Sequence, residues 1–205
     1  MAILKHTDGV EMYYAKDRQT WRKWLEINST KKSAIWLIYY KPQSGKSRVS
    51  YNDAVDEAIC FGWIDSKPNK LDELRSIQFF APRNPKSNWS KVNKERVARL
   101  INENKMMPQG LSIIETAKKN GAWDALNEVE NMMIPDDLLI ALKKEKNSYE
   151  YFMAFPKSSK KNILEWIHNA KHQETREKRI TETAILAKDN IRANHYRQPK
   201  KGNNI

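Results

Sequence analysis

The chain has 205 residues, of which 40% are hydrophobic and 30% charged, with seven Trp and eight Tyr to anchor packing. That composition excludes a disordered polymer and leaves room for one large domain or two small ones. A formal charge of +12 attracts polyanions of any kind, from nucleic acid to phosphorylated metabolites, without fixing a fold.

The single cysteine, Cys60, excludes an intrachain disulfide. No stretch approaches the ~20 apolar residues of a membrane span, and the opening MAILKHTDGVEMYY holds no apolar run of signal-peptide length. The expected setting is therefore the cytoplasm.

In chain order, VEMYYA (10–15) predicts a short strand. Asp17 caps a helix over DRQTWRKWLEINS, whose Trp21, Trp24, Leu25 and Asn28 share a face. SAIWLIYY (33–40) is an unbroken apolar run, the pattern of a strand buried on both sides. Ser50 and Asp53 open the helix SYNDAVDEAICFG in the manner of a capping box. Val55, Ala58 and Ile59 form its stripe, and Gly62 stops it. WIDS and RSIQFFAP predict two further strands.

From Ser90 the pattern becomes helical. One helix, capped by Ser90, carries Val92, Val97, Leu100 and Ile101; another starts at Pro108 and ends near Gly121. NEVENMMIPDDLL reads as a linker, with Pro135 in the first turn of a helix carrying Leu138, Leu139 and Leu142. FMAFPKSSKKNILEWIHNAK and QETREKRITETAILAK predict two amphipathic helices paired as a hairpin, and the basic tail from Asn190 reads as disordered. The expected class is α+β: a small mixed sheet flanked by helices over 1–125, an all-helical region over 126–189, and the tail 190–205.

Three chemical motifs fail on spacing or partners. SGKS (44–47) lies where a phosphate loop would, yet Tyr40 stands where such a loop needs glycine, and the helix starts too late, at Ser50. Glu165, His168 and His172 could share a helix face, but half a carboxylate–histidine site lacks its second half. Cys60 has no histidine near it in sequence and reads as a core residue. No metal, cofactor or catalytic residue is assigned.

SGKSRVSYNDAVDEAICFGWIDS, FFAPRNPKSNWSKVNKERVARLI and the MMPQGL helix start closely resemble the YdeI/OmpD-associated proteins. FPKSSKKNILEWIHNAKHQETREKRI is similar to the domain that names that family, so the likeness runs from about Trp21 to Ala187. CFGWID with PRxPxSxWSxxNxxR is its signature; the family pattern has proline where Gln173 stands. The resemblance implies a bacterial cytoplasmic protein described as bacteriocin-protecting or porin-associated, and brings no reaction, substrate or cofactor with it.

The candidate site follows from the residues between the last strands and the next helix. Read plainly, Trp63, Phe79 and Trp89 are core anchors, Pro82 and Pro85 shape a turn, and Ser87 to Ser90 cap a helix. Read functionally, Asp65, Ser66 and Lys67 leave the end of a strand while Arg83, Lys86, Asn88 and Ser90 gather at a helix N-terminus, whose amides and guanidinium suit an anion in a shallow pocket flanked by Trp63 and Trp89. The expected function is a non-enzymatic binder of an anionic small molecule or of a partner's acidic segment. The alternatives are nucleic-acid binding through the C-terminal helices and tail, where twelve Lys and Arg face five acids from residue 156 onward, and an enzyme using Asp65 as acid or base with Lys67 or Arg83 as its electrostatic partner.

Overall fold

The computed structural model describes residues 6–194, and this stretch divides between Ala125 and Leu126 into two compact units. The N-terminal unit runs β1 (Met12–Tyr14), α1 (Arg18–Asn28), β2 (Ile35–Tyr40), α2 (Tyr51–Cys60), β3 (Trp63–Lys70), β4 (Arg75–Pro82), α3 (Lys91–Asn102) and α4 (Pro108–Lys119). The C-terminal unit is helical among the described residues: α5 (Asn127–Glu130), α6 (Asp136–Lys144), α7 (Ser148–Ala154), α8 (Lys157–His168) and α9 (Gln173–Ala187). The α+β class holds.

The four strands form one mixed sheet in the order β1-β2-β4-β3. β1 runs parallel to β2, and the other neighbours are antiparallel. Alternation along β2 sends Ile35, Leu37 and Tyr39 to the side covered by helices, where they join Trp21, Leu25, Trp63 and Phe80 in the main core. Trp36 and Ile38 point to the other side and build a smaller cluster with Ile77, so β2 is buried on both faces as its apolar run requires. β3 is the outermost strand on its side. Its pairing with β4 slips between Asp65 and Pro68, and it is twice the length that WIDS suggests.

Charge holds the helical layer to α2. Two consecutive acids on this helix are almost fully buried, Asp56 at 4% exposure and Glu57 at 2%. Glu57 accepts from Arg18 Nε (2.5 Å) and Arg22 Nη1 (2.6 Å), which sit one turn apart on α1. Asp56 accepts from Arg96 Nη1 and Arg99 Nη2, both at 2.6 Å, on α3. Each carboxylate oxygen thus meets its own guanidinium, as burial of a charge demands. This pairing narrows the apolar stripe of α3 to Val97 and Leu100. Val92 and Ile101, expected on that stripe, are 54% and 44% exposed.

A close backbone contact sets α4 against α2. The Met107 N–H donates to the Cys60 carbonyl at 3.0 Å, and Gly110 lies so near that a Cβ there would stand 2.3 Å from the same oxygen. Only glycine permits that approach.

In the C-terminal unit the single helix expected over FMAFPKSSKKNILEWIHNAK is two, α7 and α8. Pro156 takes the N-cap position of α8, because proline supplies no N–H to continue a helix through it. The expected linker contains the short α5, and Pro135 is the N-cap of α6 rather than a member of its first turn. His172 caps α9 instead of extending α8, so Glu165, His168 and His172 do not share one helix. Asn190 adopts a left-handed conformation that ends α9, letting the Ile191 N–H reach the Leu186 carbonyl at 3.0 Å and seating Ala193 in the core. Residues 190–194 are therefore ordered, contrary to expectation, and the rest of the predicted tail, 195–205, lies outside the described residues.

Gln173 is the first residue of α9, preceded by His172 in extended conformation (φ −121°, ψ 144°). Both conditions suit proline. Gln173→Pro should stabilise this unit by about 0.4–1 kcal/mol through the unfolded chain, less the exposed bond from Gln173 Nε2 to Glu177. A rise of the thermal midpoint by circular dichroism checks this; a fall contradicts it.

Candidate functional site

β4 ends at Pro82, and the next residue, Arg83, is tied to the α2–β3 corner by donating its N–H to the Gly62 carbonyl at 2.8 Å. Gly62 holds that corner with φ +74°, a conformation that favours glycine. The Arg83 side chain is only 7% exposed. Its guanidinium carbon lies 3.8 Å from the centroid of the Trp89 ring, Nη2 donates to the Asn88 carbonyl, and Nε is buried with no hydrogen-bond partner. Burial pushes the guanidinium pKa down to about 10, with Asp65 offsetting part of the effect from beyond ion-pair distance.

Arg83 borders an open cleft of about 320 Å³, together with Trp63, Pro82, Gln109, Ser112 and Thr116. The last three follow a three-, then four-residue spacing along α4, which puts them on one face of that helix. The cleft floor is fixed: Trp63 Nε1 donates to the Ser29 carbonyl at 3.0 Å, and the ring packs edge-on against Trp24. Gly62 and Gly110 set the distance between the cleft's two walls, since a Cβ on Gly62 would stand 3.1 Å from the Gln109 carbonyl.

The remaining predicted residues separate. Trp89 is buried beneath the guanidinium and against Trp123, and Asn88 supplies the carbonyl that holds Arg83. Asp65 accepts from the Tyr51 hydroxyl (2.7 Å) and from Gln78 Nε2 (3.3 Å); Ser66 offers its carbonyl to the same Gln78 nitrogen at 2.9 Å. Lys67, two residues beyond Asp65 but across the slip in β3, turns to the other side of the sheet, 5.5 Å from the Trp36 ring and 5.6 Å from that of Phe79. Lys86 is exposed on the turn, where Asn84 accepts its N–H. Ser90 caps α3 by accepting from the Asn93 N–H. Trp63 and Arg83 thus share a cleft, Asn88 and Trp89 support it from behind, Asp65 and Ser66 join a neighbouring network, and Lys67, Lys86 and Ser90 stand apart.

Sequence reading missed Gln109, Ser112 and Thr116, although their spacing already marked a polar stripe on an otherwise mixed helix. It also missed Tyr39, Tyr51 and Gln78, which gather around Asp65. Cys60 is fully buried in the main core, and burial pushes its thiol up to about 11, the state of a packed side chain and not of an activated nucleophile.

Among the described residues no helix is long and apolar enough to cross a membrane. Residues 13–113, which hold the CFGWID stretch and the start of α3, match a family model described as a domain of unknown function (DUF8412). Residues 131–190 match the model described as bacteriocin-protection, YdeI or OmpD-associated. No curated protein matches the chain, and no solved structure does. Over residues 131–190 this chain is thus similar to the bacteriocin-protection, YdeI or OmpD-associated family, a match to part of its length.

Proposed function

We propose that this protein is a non-enzymatic binder of a small anionic molecule, held in the cleft beside Arg83. One observation carries the reading: Arg83, 7% exposed, with its Nε unbonded and no carboxylate among the described residues in ion-pair contact, borders an open cleft. A buried cation without a counter-ion is costly, and a bound carboxylate, sulfate or phosphate would supply the missing charge. Ser112, Thr116 and Gln109 offer hydroxyl and amide groups for the anion's remaining oxygens. The volume lies at the low end of small-molecule sites, which favours a compact anion over an extended acidic segment.

The test is thermal stabilisation by phosphate, sulfate and small dicarboxylates, each added at constant ionic strength. A ligand of the native state raises the melting temperature in proportion to RT ln(1 + [L]/Kd). Arg83→Met should abolish that rise while leaving the unliganded protein within about 1 kcal/mol of its starting stability, because an uncompensated charge is exchanged for an apolar side chain of similar length. Ser112→Ala should weaken the stabilising anion about tenfold. Stabilisation that survives Arg83→Met would exclude this cleft.

A further inference from the structure

We propose that a second cleft in the N-terminal unit, lined by Tyr39, Arg48, Tyr51, Pro68 and Gln78, binds a small aromatic carboxylate bearing a hydroxyl opposite its acid group. This inference does not depend on the Arg83 cleft, and the two can fail separately.

The helix-covered side of the sheet is apolar through Ile35, Leu37, Trp63 and Phe80, then changes character at one end. There β2 presents Tyr39, β4 presents Gln78 and Ser76, and β3 presents Asp65; Tyr39 and Ser76 are register partners. Nothing in the packing of a two-layer unit calls for polar groups at this depth. Yet Gln78 is 7% exposed with its amide nitrogen bonded to Asp65 and to the Ser66 carbonyl, and Tyr39 is 7% exposed with a buried hydroxyl that meets no partner. Buried polar groups are nearly always satisfied, so an orphaned phenol lining a cleft points to a group that arrives from outside.

The neighbouring groups define what that arrival should be. The Tyr51 hydroxyl donates to Asp65, which fixes its proton and leaves its oxygen able to accept. Burial and Asp65 both raise the Tyr51 pKa, so the phenol stays neutral at physiological pH. Arg48 stands exposed at the rim with Nη1 on the Tyr40 carbonyl at 2.8 Å, leaving its other nitrogens for a planar acid. The walls between are the rings of Tyr39, Tyr51 and Pro68, surfaces that suit an aromatic ring. The cleft measures about 230 Å³, against the roughly 150 Å³ that accommodates benzene. A ligand with its carboxylate on exposed Arg48 and its hydroxyl at buried Tyr39 would engage both ends.

Titration calorimetry of the full chain with 4-hydroxybenzoate, benzoate and phenol tests this. The hydroxybenzoate should bind about tenfold tighter than benzoate, the margin of one neutral hydrogen bond. Tyr39→Phe should erase that margin by weakening the hydroxybenzoate and phenol while sparing benzoate, without loss of stability, since it deletes an unpaired hydroxyl. Arg48→Gln should weaken both acids about ten- to a hundredfold and spare phenol. Arg83→Met should change none of these values. The inference is overturned if no probe binds at millimolar concentration, or if the preferences persist unchanged in Tyr39→Phe and Arg48→Gln.

Discussion

Glu57→Ala should destabilise the N-terminal unit by about 3 kcal/mol, near the lower end of what removing one partner from a buried ion pair costs. The loss comes less from the bonds than from what remains: Arg18 and Arg22 would lose the buried carboxylate they share, keeping only the more exposed Asp53 and Glu26 as partners. Their side chains are about a third and a quarter exposed, so water screens part of the repulsion and keeps the cost from the top of the range. Urea unfolding followed by tryptophan fluorescence reads it, since every tryptophan except Trp166 lies in this unit. The expected result is a lower midpoint with the same slope. The control is a triple replacement, Glu57→Leu with Arg18→Met and Arg22→Met, which should recover most of the stability by removing the buried charge with its partners, since Asp53 and Glu26, which each lose an arginine, are partly exposed to water. A Glu57→Ala variant as stable as the parent would mean that the pairs contribute nothing net.

Gly110→Ala should cost about 2 kcal/mol, and its sign is decided by a contest of two magnitudes. Alanine gains at most about 1 kcal/mol over glycine in a helix, and Gly110 is the third residue of α4, without a positive φ. Against that, the new methyl would lie 2.3 Å from the Cys60 oxygen and 2.8 Å from both the Cys60 carbon and the Ile59 oxygen. All three atoms are backbone, so no rotamer change relieves the clash; α4 must move away from α2. Overpacking of this kind costs about 1–3 kcal/mol and at times more, and here it outweighs propensity. Because α4 carries Gln109, Ser112 and Thr116, the same change should also weaken the anion binding proposed at Arg83. A variant that is stabilised instead would show that α4 yields freely.

The elements that the sequence announces are those whose signals are local. Asp17, Ser50 and Ser90 all cap the helices they were expected to cap, accepting from Thr20, Asp53 and Asn93, because a capping side chain and its amide sit three residues apart. The apolar run of β2 likewise required burial on both faces. The acids of α2 were a signal that went unused: Asp56 and Glu57 interrupt an apolar helix, and buried charges require partners. Which arginines answer them depends on how α1 and α3 pack, and that is not local. The candidate site divided for the same reason. Adjacency along the chain put Asp65, Lys67 and Arg83 in one group, whereas the slip in β3 sends Lys67 across the sheet and the cleft draws its polar wall from α4, some thirty residues on. The FMAFPKSS helix failed for a local reason that was visible, the proline at 156.

The outermost strand carries one more implication. Pro68 has no N–H to offer a ladder, and Lys67 and Lys70 add charge on either side of it, while the slip beside Asp65 breaks the spacing of the pairing. Another chain approaching this margin would find no regular row of donors and acceptors to copy, and would have to bring two lysines close to its own positive surface. The sheet is thus guarded against growing, molecule by molecule, into a fibril from that side.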